Sequence, residues 1–132
     1  MAPMKNFTDL TGRVAVVIGG TSGLGRSCAI GMAQAGADVV VTGRRMENID
    51  EVAKEVEAAG RRTLRMTCDV LDRASMERLR DKVVAELGSV DILFNAAGRT
   101  MRKPTVQMSV EEWQAVMDTN LTGLLGACQT FY

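Results

Sequence analysis

Apolar and polar positions along this chain alternate between two periods, one of strands and one of helices. Residues Val14 to Ile18 are five consecutive apolar residues, four of them β-branched, which predicts a strand buried on both faces. Glycines at 19, 20, 23 and 25 follow. Cys28, Ala29, Met32 and Ala33 then share one helical face, and Gly36 stands where a helix stops. Asp38 to Thr42 predicts a second buried strand, and Ile49, Val52, Ala53 and Val56 a second helix ending at Gly60. A third strand is expected over roughly residues 63–68. Asp72 is a natural N-cap for a third helix with Met76, Leu79, Val83 and Leu87 on its apolar face, closed by Gly88. A fourth strand is expected from Val90 to Phe94, running into Asn95-Ala96-Ala97-Gly98. Ser109 and Glu112 form a capping box opening a fourth helix that carries Trp113, Val116, Met117 and Leu121 toward Tyr132.

Strands alternating with helices imply an α/β, Rossmann-type, doubly wound parallel sheet within one domain, residues 1–132. Right-handed crossovers give the strand order 3-2-1-4, with strands 1 and 4 adjacent where the winding reverses. Ligands bind such sheets beyond the strand C-termini at that point. The glycine turn after strand 1 and the segment Asn95 to Gly98 both converge there. The strand, glycine turn and helix together form a phosphate-binding unit. The absent side chains admit a pyrophosphate to the backbone, and the helix start offers unpaired N–H groups.

Composition narrows the function classes. With 46% apolar and 24% charged residues the chain is globular, and its formal net charge of zero gives no field for nucleic acid or an anionic membrane. No apolar run near the start has signal-peptide length, and none approaches a membrane span. Cys28, Cys68 and Cys128 are read as small core residues of a reduced, cytoplasmic protein. With no histidine, Ser-His and Cys-His pairs are excluded and no metal site is expected.

The spacing Gly19-x-x-x-Gly23-x-Gly25, together with Asn95-Ala96-Ala97-Gly98 after the fourth strand, resembles the short-chain dehydrogenase/reductase family. The resemblance runs from about Thr11 onward. Ile18 departs from it, standing where the family usually has threonine. It implies an NAD(P)-dependent oxidoreductase acting on an alcohol or carbonyl substrate, in a parent enzyme that is a homodimer or homotetramer. The cofactor-binding residues it implies are Gly19, Thr21, Ser22, Gly23, Leu24, Gly25, Asp69, Val70, Asn95, Ala96, Ala97 and Gly98. Asp69 matches the position that holds the adenine. Asn120 matches the helix-4 asparagine, which supports a water relay to the catalytic lysine. The run Gly98 to Pro104 is similar to sugar-acid dehydrogenases of the family.

The family's acid/base chemistry rests on a Tyr-x-x-x-Lys pair. The sole tyrosine here is Tyr132, and lysines occur only at 5, 54, 82 and 103. The sequence is therefore expected to be the N-terminal cofactor half, truncated after helix 4 and inactive by itself. Coenzyme choice is expected to be NADP over NAD. An NAD-preferring unit carries an acid roughly 20 residues beyond the glycines, where this chain has Thr42-Gly43-Arg44-Arg45. Plainer readings stand beside these: solvated turn arginines at 44, 45 and in the 99–103 loop, a turn role for Asp69, a solvated Asn120, and a core Trp113. A stand-alone nucleotide-binding or interaction module without catalysis is the alternative function.

Overall fold

The computed structural model describes residues 6–132. Five elements form the first half of the order: β1 (Val14–Ile18), α1 (Gly23–Gln34), β2 (Asp38–Thr42), α2 (Met46–Ala58) and α3 (Arg73–Leu87). β3 (Ile92–Asn95), a single 3-10 turn (Thr105–Gln107), α4 (Val110–Met117), a π turn (Asp118–Thr122) and α5 (Gly123–Phe131) complete it.

The sheet is parallel, with β1 central in the order β2-β1-β3. Both faces of β1 are covered, which is why its sequence is apolar without alternation. Ala15 and Val17 pack with Val39 and Val41 against α1 and α2, among them Ala29, Ala33, Ile49, Val52 and Val56. Val14, Val16, Ile18 and Val40 face the opposite layer, with Met76, Leu79 and Val83 of α3 and Ala127 of α5. Helix ends follow their sequence signals. Ser75 N–H donates to the Asp72 carboxylate at the start of α3, and the Ser109–Glu112 capping box is complete in both directions. Gly36, Gly60 and Gly88 close their helices with φ of 102°, 77° and 98°.

Two expectations change. The third strand of the expected 3-2-1-4 order, residues 63–68, is not a strand among the described residues, whereas the expected fourth strand is present as β3. The segment runs beside β2 and is bonded to its backbone only at the two ends, Val39 N–H to the Arg62 carbonyl (3.1 Å) and Cys68 N–H to the Gly43 carbonyl (2.9 Å). Side chains add two bonds. Thr42 Oγ1 donates to the Met66 carbonyl (2.7 Å) between those ends, and Asp38 accepts from Arg62 N–H (2.9 Å) at one of them. Local side-chain bonds have displaced the ladder. The expected fourth helix is continuous from Val110 to Phe131, but it carries a π turn between α4 and α5, in which the Gly123 N–H donates to the Asp118 carbonyl five residues back.

Candidate functional site

The C-terminal ends of β1, β2 and β3 open into one cleft of about 490 Å³. Its floor is the glycine turn. Gly19, at φ +78°, lies so close to the next loop that a Cβ there would stand 2.5 Å from Ala97 N. A Cβ on Gly25 would stand 2.3 Å from the Gly19 carbonyl oxygen and 2.8 Å from Ala96 Cβ. These two positions need glycine because backbone meets backbone. The turn is also tied to the sheet. Gly19 and Gly20 N–H groups donate to the Thr42 carbonyl, and Ala96 N–H donates to the Ile18 carbonyl at 2.8 Å.

The start of α1 completes this cradle. Its N-cap, Ser22, makes no side-chain capping bond, and the first turn holds no acidic residue. The first N–H groups of a helix have no partner inside it, and here no cap supplies one. Chain geometry and dipole thus favour an anion at this point.

Of the residues expected from sequence, Gly19, Thr21, Ser22, Arg44, Arg45, Asp69, Val70, Ala96, Ala97 and Gly98 line the cleft. Gly23, Leu24, Gly25, Asn95 and Asn120 do not. Leu24 points to solvent at 83% exposure. Gly25 serves close packing under the turn, and Gly23 supplies a left-handed φ of +53° in open space. The side chain of Asn95 faces α5, its Nδ2 donating to Cys128 Sγ at 3.5 Å. Asn120 Oδ1 accepts from Arg99 N–H at 2.8 Å and its Nδ2 donates to the Arg99 carbonyl at 2.9 Å.

Asp69 is both a turn residue and a lining residue. One carboxylate oxygen accepts from Leu71 N–H at 2.9 Å, while Ser75 Oγ is bonded to the Asp69 N–H and carbonyl. Val70 is set by close packing, since a Cβ on Gly123 would meet its Cγ2 at 2.8 Å. At the end of β2, Gly43 faces Thr21, whose Cγ2 would lie 3.3 Å from an added Cβ. Arg44 and Arg45 follow at the rim, both exposed. Among the described residues neither is in an ion pair.

Sequence reasoning missed Asn48 and Thr119, both cleft residues. With its amide oriented to satisfy both groups, Asn48 Oδ1 accepts from Arg45 Nε and Nη2 at 3.3 and 3.1 Å. Its position three residues after Arg45, in the first turn of α2, was the available signal. Thr119 reaches the cleft through the π turn, which no periodicity announces.

The cysteines are not uniformly core. Cys68 is buried, Cys28 half-buried and Cys128 exposed, and none is disulfide-bonded. Burial pushes the Cys68 thiol up from its ordinary range, against a hydrogen bond from Ser75. Trp113 is 55% exposed and so is not a core residue of the described chain. Among the described residues no group of metal-ligating side chains exists, and no helix is long and apolar enough to cross a membrane.

Comparison with known proteins agrees with this geometry. A family model described as short chain dehydrogenase matches residues 13–132. A 2-dehydro-3-deoxy-D-gluconate 5-dehydrogenase from Dickeya dadantii (strain 3937) is 38% identical over 125 residues, which are 95% of this chain and 49% of that protein. One of the same description from Escherichia coli (strain K12) is 41% identical over 113 residues, 86% of this chain and 44% of the other. The crystal structure of a short-chain type dehydrogenase/reductase from Mycobacterium marinum superposes with a TM-score of 0.89 at 33% identity, over 93% of this chain and 50% of that one. The chain spans about half the length of the relatives it matches.

Proposed function

Because the chain belongs to the short-chain dehydrogenase family, we propose that its 132 residues are the cofactor-binding part of an NADP-dependent oxidoreductase acting on an alcohol or carbonyl group. Short-chain dehydrogenases bind nicotinamide dinucleotides, and the bound nicotinamide supplies the hydride chemistry. The cleft fits such a group. Gly19 and Gly25 let the turn pack closely against Ala96 and Ala97 at the cleft floor, and the uncapped start of α1 offers N–H donors to a pyrophosphate. Asp69 and Val70 flank the place for an adenine. Ala96 to Gly98 form the opposite wall.

The observation that carries the preference for NADP is the end of β2. Arg44 and Arg45 stand at the cleft rim where an NAD-binding site would place a carboxylate, and Gly43 keeps the approach open. Asn48 holds the Arg45 guanidinium, leaving Arg44 as the principal cation for a 2′-phosphate. Calorimetric titration of the chain with NADP and with NAD tests this reading. NADP is expected to bind about ten- to a hundredfold more tightly, the value of one charge-assisted hydrogen bond. Equal affinities would refute the NADP preference, and binding of neither would refute the cofactor site.

The reading extends to properties of the parent protein. Its substrate is a sugar acid or polyol, by similarity to the two gluconate-type dehydrogenases. It is a cytoplasmic homodimer or homotetramer. Residues 13–132 act as one nucleotide-binding domain, and the 132 residues contain no Tyr-x-x-x-Lys pair. They therefore transfer no hydride alone, since positioned acid/base groups contribute about 10²–10⁴-fold in rate. Asn120 serves as a positioning residue through the loop it holds.

A further inference from the structure

The cleft carries a cation that the cofactor reading does not use. Arg99 follows β3 and lines the cleft on the side away from Arg44, which follows β2. β2 and β3 flank β1 on opposite sides, so the strand ends that launch the two arginines are about 10 Å apart. Arg99 is exposed, and among the described residues no carboxylate pairs with it.

The loop around it is fastened at two points. Asn120 fixes the Arg99 backbone at both its N–H and its carbonyl. Farther along, Lys103 Nζ is occupied by both oxygens of Glu112, at 2.9 and 2.8 Å, which ties the loop to α4. Lys103 is thereby neutralised and Arg99 is not. Thr100 and Thr119 line the same cleft, the Thr119 hydroxyl donating to the Ala115 carbonyl at 3.2 Å.

We propose that Arg99 anchors a carboxylate of the substrate, so that the site selects polyhydroxy acids over neutral polyols. The inference rests on the cofactor reading above for the assignment of the opposite end. A guanidinium offers two parallel N–H donors that match a carboxylate, and backbone fixation lowers the ordering cost of using them. The threonine hydroxyls suit the neighbouring hydroxyl groups of such a ligand.

Calorimetric titration of the NADP-loaded chain with sodium gluconate and with glucitol tests it, using the unaltered chain, R99M and R99K. Gluconate is expected to bind in preference to glucitol, R99M to weaken gluconate about ten- to a hundredfold, and R99K to recover part of the loss. NADP affinity is expected to stay within about twofold in both variants, since Arg99 lies outside the Arg44 end. Undiminished gluconate binding in R99M, or no preference for gluconate in the unaltered chain, overturns the proposal. An equal loss of NADP affinity in R99M also overturns it, by assigning Arg99 to the cofactor. Arg99-dependent gluconate binding by a chain that does not bind NADP would sustain the anchor and refute the cofactor site alone.

Discussion

Asn120 holds Arg99 by both of its backbone groups, accepting from the N–H at 2.8 Å and donating to the carbonyl at 2.9 Å. The two residues are 21 positions apart, so this bidentate bond fastens the loop after β3 to the helix that follows it. Both Asn120 and its neighbour Thr119, which lines the cleft, lie in the π turn Asp118–Thr122. Gly98 completes the fit, since an added Cβ would lie 3.4 Å from Asn120 Oδ1.

Replacing Asn120 with alanine is therefore expected to free the loop more than to unfold the chain. Two neutral hydrogen bonds at a solvent-accessible site cost about 1–2 kcal/mol together. Hydrogen exchange at the Arg99 amide should accelerate at least about tenfold, with core amides of β1 changing only as far as global stability falls. An Arg99 amide as protected in N120A as in the unaltered chain would contradict the clamp.

The glycine turn separates two reasons for glycine. Gly19→Ala places a Cβ 2.5 Å from Ala97 N at a φ of +78°, so both overpacking and backbone strain apply, about 2–4 kcal/mol. Gly23→Ala has φ +53° with nothing within 4 Å, and should cost only about 1 kcal/mol. Urea unfolding of the two variants measures the difference. Equal losses would mean that the approach of the turn to Ala97 is not a stability determinant.

Asp38 gives the pH dependence. Its side chain is almost buried, which raises its pKa, but the Arg62 N–H and guanidinium and the charges of Arg61 and Arg62 outweigh that and hold it below the ordinary carboxylate value. A carboxylate whose native pKa is depressed stabilises the fold fully above its unfolded value of about 3.9, and that contribution is lost as pH falls through the lower native value. Asp38→Asn should cost about 2–3 kcal/mol at pH 7, the range of a buried charge-assisted bond. The variant should also show a shallower stability loss between about pH 5 and pH 2. An acid limb as steep as that of the unaltered chain would assign the dependence elsewhere, with Asp91, lowered by its bond to Val14 N–H, the next candidate.

The strands and helices that bury apolar faces were legible because their periods are set by burial. β1 is wholly apolar and β2 is apolar between Asp38 and Thr42, and both are buried throughout. Residues 63–68 also suggested a strand, but the Met66 carbonyl is taken by the Thr42 hydroxyl and the adjoining Arg62 N–H by Asp38, a competition that hydrophobic pattern does not encode. Within the site, the glycines and Arg44 were readable because each matches a backbone or charge requirement of the ligand. Asn120 does not line the cleft, and its contact with the Arg99 backbone, made from a π turn, spans two elements. Trp113 shows the opposite failure, since helical spacing marks a face as apolar without saying what covers it.

Coenzyme selection should depend on Arg44 in particular. Arg44 and Arg45 both stand at the rim, but the Arg45 guanidinium is engaged by Asn48 and lies at the N-terminal boundary of α2, where its position is fixed by the helix start. Arg44 has no such partner among the described residues, and Gly43 beside it keeps the space next to Thr21 open. Arg44→Ala should weaken NADP about ten- to a hundredfold while leaving NAD within about twofold, because NAD carries no 2′-phosphate to lose. Arg45→Ala should cause a smaller loss for NADP. The Arg44 effect should also shrink with added salt, as expected for an exposed charge contact. Calorimetry on the two variants at low and high ionic strength decides the matter. An Arg44→Ala chain that weakens both coenzymes equally would place Arg44 on the pyrophosphate, and one that weakens neither would remove it from the site.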